Sequence, residues 1–185
     1  MGKKNIGIVV GSLRKDSFSK RIAVSLSNLL ADKFDVKFLD ISNLSMYNED
    51  LDTETATPQA WIDFRKEVKA LDGVLFVTPE YNRSIPPVLK NALDIASRPY
   101  GKSAWNDKPG AAVSISLGIL GGFGANHHLR QIATCLNIHL MGQPEAYIGN
   151  VAAITDSTGV TDENAKKFLQ TFADAFAEWI NRVAK

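Results

Sequence analysis

The chain has 185 residues, of which 45% are hydrophobic and 22% charged, and its formal net charge is +1 at pH 7. This length and apolar content suit a single domain over residues 1–185, and the balanced charge favours neither a nucleic acid nor a membrane surface as partner. The single cysteine, Cys135, excludes an intrachain disulfide, and the three histidines lack the thiolate and carboxylate neighbours of a metal site.

The first predicted element is a strand at about residues 5–10, which begins too soon after Met1 to leave room for the apolar region of a signal peptide. No stretch of the chain approaches the ~20 apolar residues of a membrane span. We therefore expect a cytoplasmic protein without a membrane partner.

The loop after this strand, Gly11 to Lys20, has the sequence GSLRKDSFSK and leads into a predicted helix. Hydroxyl and guanidinium groups beside a helix start suit a terminal phosphate monoester, whose oxygens need several donors. The candidate donors are Ser12, Arg14, Ser17 and Ser19. A structural alternative is that Ser17 only caps the helix and that Arg14 and Lys15 are solvated.

The same loop argues against two other nucleotide sites. A Rossmann dinucleotide site needs G-x-G-x-x-G, whereas the stretch from Gly11 to Asp16 has only the first glycine. Asp40 does stand near the end of the second predicted strand, where a ribose-binding acid would lie. A Walker motif, G-x-x-x-x-G-K-[ST], is not present either. The loop thus favours a monophosphate.

The rest of the chain alternates apolar runs with amphipathic stretches, which predicts a mostly parallel sheet covered by helices on both faces. Strands are expected at about 5–10, 35–40, 73–78, 110–116 and 145–149. Helices are expected at about 17–31, 58–70, 86–97, 124–136 and 161–183. These elements fit a flavodoxin-like three-layer α/β sandwich with a five-stranded parallel sheet of order 2-1-3-4-5, whose ligand site lies at the carboxyl ends of strands 1 and 3.

One long connection, Ser42 to Pro58, carries several acidic residues and precedes the second helix. A solvated surface loop is the simpler interpretation. The alternative is that Met46 and Tyr47 pack against a neighbouring subunit or the mouth of the site.

Two further loops at the same predicted edge of the sheet suit a planar ring. After the third strand, prolines stiffen the turn while Tyr81, Asn82 and Ser84 offer a flat face and polar groups. After the fourth strand, the sequence SISLGILGGFG at 114–124 contains four glycines, which permit close backbone approach. Three loops with ligand-binding chemistry are therefore expected at one edge.

At these loops the chain resembles the NADPH-dependent FMN reductase family, which includes chromate, quinone and azo-dye reductases of flavodoxin-like fold. The motifs are GSLRxxS near the start, PEYNxSxPxxLKNAxD in the middle and SxGxxGG after the fourth strand, and the resemblance extends from Ile6 to about Val183. It implies an FMN phosphate on Ser12, Arg14, Ser17 and Ser19. It also implies that the ribityl chain and isoalloxazine lie between Pro79, Glu80, Tyr81, Asn82 and Ser84 on one side and Ser116, Gly118 and Gly121 on the other.

Two residues depart from the family pattern. Ser19 stands where an asparagine is common, but its hydroxyl can still donate. Arg83 stands where an aromatic residue is common. A guanidinium at the flavin edge would attract the phosphates of NAD(P)H or an anionic acceptor, and we therefore predict Arg83 as substrate-binding. A solvated or interface arginine is the alternative.

The resemblance implies an FMN-dependent NAD(P)H oxidoreductase, in which hydride passes from the nicotinamide to flavin N5 and the electrons then reduce a quinone, azo, nitro, flavin or metal-oxyanion acceptor. No protein acid or base is required. Because both substrates use one exposed flavin face in turn, ping-pong kinetics are expected. No segment can be assigned to the 2′-phosphate of NADPH, so the choice between NADH and NADPH stays open.

The resemblance also implies a homodimer or homotetramer, with helices near the flavin at the contact. We expect Arg130, His127 or Glu145 to take part in this contact. Two other functions remain as alternatives. One is a flavodoxin-like electron carrier, which would typically have a strongly acidic surface and repel a polyanionic dinucleotide. The other is a non-catalytic FMN-binding regulatory module that uses a tryptophan at an interface.

Overall fold

A central parallel sheet with helices on both faces forms the protein, in a computed structural model that describes residues 2–184. The strands of this sheet are β1 (Asn5–Val10), β2 (Asp35–Leu39), β3 (Gly73–Pro79), β4 (Pro109–Ile115), β5 (His139–Leu140) and β6 (Ala146–Ile148). The helices are α1 (Phe18–Leu30), α2 (Gln59–Lys69), α3 (Pro87–Ala96), α4 (Phe123–Cys135), α5 (Val151–Ile154) and α6 (Glu163–Val183). None of the helices within residues 2–184 is long and apolar enough to cross a membrane.

The sheet has the order β2-β1-β3-β4-β5, and β6 also pairs with β4 in parallel. The predicted flavodoxin-like α/β fold and strand order are therefore confirmed. The predicted fifth strand differs in detail, because two short segments on either side of residues 141–145 share its place. Gly142 and Pro144 lie in this interruption, and proline has no N–H to donate to a ladder.

Two hydrophobic cores lie on opposite faces of the sheet. On one face, α1 and α6 pack residues such as Leu26 and Phe172 against the strands. On the other face, α2, α3 and α4 surround Trp61, Phe76 and Trp105. The middle strands are buried on both sides, which is why they appear in the sequence as continuous apolar runs.

A small hairpin before α6 was not predicted from the sequence. Its strands are β7 (Thr155–Asp156) and β8 (Gly159–Val160), and the Val160 N–H donates to Ser25 Oγ of α1 at 3.2 Å. A two-residue strand is too short to produce an alternating pattern. The hairpin therefore depends on its contact with a helix far away in the sequence.

The long connection is anchored to the helices behind it. The Arg65 guanidinium contacts both Asp52 carboxylate oxygens at 2.8 and 2.9 Å. The ring of Tyr47 stacks on Trp61 of the same chain, with centroids 5.3 Å apart, whereas Met46 is 69% exposed. Tyr47 therefore packs on its own subunit, and the segment is more ordered than a solvated loop.

Candidate functional site

Three loops meet at the carboxyl edge of the sheet, as predicted. β3 lies between β1 and β4, so the three strands end side by side. The Gly11 N–H donates to the Val77 carbonyl at 2.9 Å, and a Cβ at Gly11 would lie 2.6 Å from Thr78 Oγ1. The loop after β1 thus starts in direct contact with the last residues of β3.

The first loop combines a capped helix start with free donors. Ser17 Oγ accepts from the Lys20 N–H at 3.3 Å, so the predicted capping role of Ser17 is real. Its hydroxyl proton is not used by this bond. Arg14 is exposed and has no carboxylate within ion-pair distance among residues 2–184. Capping and phosphate binding are therefore compatible at this loop.

Ser19 is the unusual residue of this loop. Its side chain is 1% exposed, yet Oγ has no hydrogen-bond partner in the described part of the chain. Leaving a buried hydroxyl unpaired costs about 1–3 kcal/mol. A phosphate oxygen beside the α1 start would accept this proton, so the loop fits the phosphate of FMN.

The turn from Tyr81 to Ser84 is tight and strained. The two residues exchange backbone hydrogen bonds of 2.8 and 2.9 Å, with Asn82 at φ +50° and Arg83 at φ +67°. Two successive left-handed residues are typical of turns that prefer glycine, and an arginine there costs of order 1 kcal/mol. The guanidinium of Arg83 projects into solvent, with Nη1 3.7 Å from Glu80 Oε1.

Glu80 has a structural role that the sequence did not reveal. Its Oε2 accepts from the Ala125 N–H at 3.0 Å, in the first turn of α4. The N-cap residue of α4 is Gly122, which has no side chain to do this. A Cβ at Gly124 would lie 3.0 Å from the same carboxylate oxygen. Glu80 therefore ties the loop after β3 to the loop after β4, and the glycine run before α4 is the only sequence signal for it.

The glycines after β4 differ in why the structure needs or permits a residue without a side chain. Gly121 has φ +59°, and a Cβ there would lie 2.4 Å from the Tyr147 carbonyl carbon. Its lack of a side chain is therefore required by packing against β6. A Cβ at Gly118 would meet nothing within 4 Å. The Ser116 hydroxyl donates to the Gly118 carbonyl at 2.8 Å and shapes this open segment.

Exposed apolar side chains surround the three loops. They come from the loop after β1, the turn after β3, the loop after β4 and the first residue of α4: Leu13, Tyr81, Leu117, Ile119, Leu120 and Phe123. Six of the ten large apolar side chains that are exposed within residues 2–184 lie at this edge, which favours it as a binding region. The Asp40 carboxylate, by contrast, is already hydrogen-bonded to a neighbouring residue in the sequence. Hydrogen bonds from Ser42 lower the pKa of its carboxyl group, and the Ser42 N–H donates to it at 2.8 Å.

A flavodoxin-like sheet with a phosphate-type loop after β1 and ring-sized loops after β3 and β4 defines a class of FMN-binding proteins. Residues 4–153 match the sequence profile of the NADPH-dependent FMN reductase family, and the chain belongs to this family.

The chain is similar over nearly its whole length to several named reductases. A quinone reductase of Pseudomonas putida is 49% identical over 176 residues, covering 95% of this chain and 94% of that protein. A 2-hydroxy-1,4-benzoquinone reductase of a Burkholderia species is 46% identical, with 95% of each chain covered. The solved flavoenzyme NAD(P)H:(acceptor) oxidoreductase FerB of Paracoccus denitrificans superimposes with a TM-score of 0.90 at 38% identity, covering 98% of this chain and 100% of that one.

These similarities confirm the predicted family and enzyme class. The protein is an NAD(P)H-dependent oxidoreductase with FMN as cofactor and NAD(P)H as co-substrate. They favour the enzyme over the electron carrier and the non-catalytic module. The roles of individual residues in the site remain predictions, argued below.

Proposed function

We propose that the protein is an FMN-dependent NAD(P)H:quinone reductase whose flavin lies across the three loops at the carboxyl edge of the sheet. The observation that carries this proposal is the buried Ser19 hydroxyl without a partner, next to the start of α1. The quinone class is supported by the quinone reductase and benzoquinone reductase relatives.

The loop after β1 holds the phosphate in this proposal. Ser19 and Ser17 donate their hydroxyl protons, Ser12 adds a third hydroxyl, and Arg14 adds a charge-assisted bond from the solvent side. α1 has no acidic residue in its first turn, so its N–H groups and macrodipole also favour a dianion there.

The ring lies between the other two loops in this proposal. Pro79, Tyr81, Asn82 and Ser84 form one wall and Ser116, Gly118 and Gly121 the other. Glu80 positions both walls through its bond to Ala125 rather than by touching the ring. The exposed apolar side chains of these loops keep water from the ring and favour a flat, apolar acceptor.

FMN when bound supplies the redox chemistry, accepting a hydride and passing electrons on. The protein residues orient it, shield it and donate hydrogen bonds where negative charge develops. No side chain of the three loops needs to act as an acid or base. Because nicotinamide and acceptor would use one face in turn, ping-pong kinetics are part of the proposal.

Arg83 binds an anionic group of a substrate in this proposal. Its guanidinium is 74% exposed and its 3.7 Å approach to Glu80 is loose. A strained residue that makes few contacts of its own is typical of a functional position. Nicotinamide phosphates or an anionic acceptor are the substrates it suits.

A homodimer or homotetramer in the cytoplasm completes the proposal. The exposed apolar residues Leu117, Ile119 and Phe123 support a subunit contact near the flavin. Arg130 is less available than expected, because Nε donates to Asn126 Oδ1 at 2.9 Å and Nη1 to the Met141 carbonyl at 3.1 Å. A stable monomer in light scattering would contradict the proposed homodimer or homotetramer.

The central test is the visible spectrum and turnover of the purified protein. We expect yellow protein with one FMN per chain, and NAD(P)H oxidation that depends on added 1,4-benzoquinone. Initial-rate plots against both substrates should give parallel lines. A colourless protein that does not bind added FMN, or one without turnover with either nicotinamide, would overturn the proposed function, and intersecting lines would exclude the ping-pong order.

A further inference from the structure

The His128 imidazole of α4 contacts the turn after β3, which forms one wall of the proposed flavin site. Its Nδ1 lies 2.9 Å from Ser84 Oγ, and this distance is that of an ordinary hydrogen bond. The two residues are 44 positions apart in the sequence and belong to different elements. The proposed flavin site draws its residues from three loops and so far gives His128 no role.

The turn at residues 81–84 needs support from outside itself. Asn82 and Arg83 both have positive φ, and such residues persist only where the surrounding structure holds them. The two backbone hydrogen bonds between Tyr81 and Ser84 close the turn. They do not fix its position relative to the sheet, because both bonds lie within the turn. Contacts with another element must do this.

The turn lies along one face of α4. At the start of this helix, a Cβ on Gly124 would lie 2.7 Å from the Arg83 carbonyl oxygen, so the backbones are in close contact. His128 follows Gly124 by four residues, which places both on the same face. Within residues 2–184, His128 is the one side chain that hydrogen-bonds to Ser84. The first turn of α4 therefore supports one end of the turn, and His128 supports the other.

Packing between the turn and α4 is incomplete next to this hydrogen bond. A cavity of about 460 Å³ lies there, lined by Ser84 and Pro87 on one side and by His128, Gln131 and Ile132 on the other. Apolar contacts therefore do not hold Ser84 against α4 on this side. The hydrogen bond spans the gap, and it can form in either direction because a hydroxyl both donates and accepts.

We propose that His128 is a positioning residue that holds turn 81–84 in place as a wall of the flavin-ring site. The inference rests on the proposed function, since it takes this turn as the wall. His128 acts through Ser84 and does not touch FMN. Without the bond, the end of the turn at Ser84 can move into the cavity. The geometry that binds the ring is then less populated, and FMN affinity falls in proportion.

The test is a double-mutant cycle on FMN affinity, measured by fluorescence titration. His128→Ala and Ser84→Ala should each weaken FMN binding about 3–10-fold, the value of one hydrogen bond. The double variant should bind no more weakly than the weaker single variant, because both substitutions remove the same bond. Gln131→Ala is the control, since Gln131 is exposed on the same helix and lines the same cavity. It should bind FMN as the unmodified protein does.

The flavin spectrum separates positioning from a simple loss of affinity. At saturating FMN, the visible circular dichroism of the flavin should change in His128→Ala, because the wall beside the ring has moved. Arg14→Ala, which acts on the phosphate, should keep the spectrum of the unmodified protein. His128→Asn should restore the spectrum and bring the affinity to within about twofold, because an amide atom stands as many bonds from Cα as Nδ1 does.

Several results would overturn the inference. These are unchanged affinity in the single variants, losses that multiply in the double variant, an equal loss in Gln131→Ala, an unchanged spectrum in His128→Ala, and no recovery in His128→Asn. In each case FMN still binds to the unmodified protein and the proposed function stands. An unmodified protein that binds no FMN would overturn both.

Discussion

The two ends of the central sheet differ in how completely their polar groups are satisfied. At the amino ends of the strands, Lys108 is 9% exposed, and its ammonium donates to the Leu71 carbonyl at 2.7 Å. The Asp72 carboxylate there accepts from the Asn5 N–H at 2.7 Å. At the carboxyl ends, the Ser19 hydroxyl is buried without a partner and Arg83 is held at positive φ.

This difference separates stability from function along one sheet. Burial makes the positive charge of Lys108 energetically costly and so lowers its pKa. Hydrogen bonds from its ammonium to the Lys69 and Leu71 carbonyls offset part of this cost. The carboxyl edge contains an unpaired hydroxyl donor at Ser19 and backbone strain at Arg83, neither of which stabilises the fold. Substitutions at the amino edge should therefore reduce the free energy of unfolding and leave FMN binding unchanged. Substitutions at the carboxyl edge should weaken FMN binding without reducing the free energy of unfolding.

Trp105→Ala tests the amino edge with the largest expected effect. Trp105 is fully buried, its Nε1 donates to the Leu93 carbonyl at 3.0 Å, and its ring lies 5.7 Å from that of Phe76. We expect a loss of about 3–5 kcal/mol in the free energy of unfolding, measured by urea denaturation of FMN-free protein. Trp105→Phe should lose less. The FMN affinity of the folded fraction should not change. A weaker affinity would mean that the amino edge also contributes to FMN binding.

Arg14→Ala tests the carboxyl edge most directly. Removing a charge-assisted bond to phosphate should weaken FMN binding about 10–100-fold, as followed by fluorescence titration. The free energy of unfolding of FMN-free protein should stay within about 0.5 kcal/mol, because Arg14 is exposed. Lys102→Ala is the control for loss of an exposed cation. If the variant binds FMN normally but turns over slowly, Arg14 serves catalysis instead.

Ser19→Ala should move stability and binding in opposite directions. Without FMN, removing the unpaired hydroxyl should stabilise the protein by up to about 1 kcal/mol. FMN affinity should fall roughly 3–10-fold, since one neutral donor is lost. Ser27→Ala on the same helix is the control for the gain in helix propensity. A loss of stability in the FMN-free variant would mean that Ser19 has a structural partner.

Arg83→Gly tests the strained turn of the carboxyl edge and should raise stability slightly. Glycine accepts positive φ, so we expect a gain of about 0.5–1 kcal/mol in the free energy of unfolding. KM for NAD(P)H or for an anionic acceptor should rise as the charge is lost. Arg83→Asn, which tolerates the same backbone conformation, separates the two effects. Unchanged KM values in both variants would identify Arg83 as a solvated residue.

The sequence predicted most of the fold but less of the site. β1, β3 and β4 were recognised within a residue or two, because strands buried on both faces leave long apolar runs. The division between β5 and β6 was missed, since each piece pairs with β4 over only two or three residues. Glu80 was predicted to line the ring, but its bond to Ala125 depends on how two loops meet in space.

By itself, the chain determined the order of the elements, the family and the loops that carry binding chemistry. These are local properties, written in apolar periodicity and in short motifs of neighbouring residues. Tertiary structure alone decided that Ser19 is buried without a partner, that Glu80 caps α4, that His128 reaches Ser84 and that a hairpin docks on α1. The contact from Val160 to Ser25 spans 135 residues. No local pattern encodes such a distance, because the contact forms only once both helical layers have packed on the sheet.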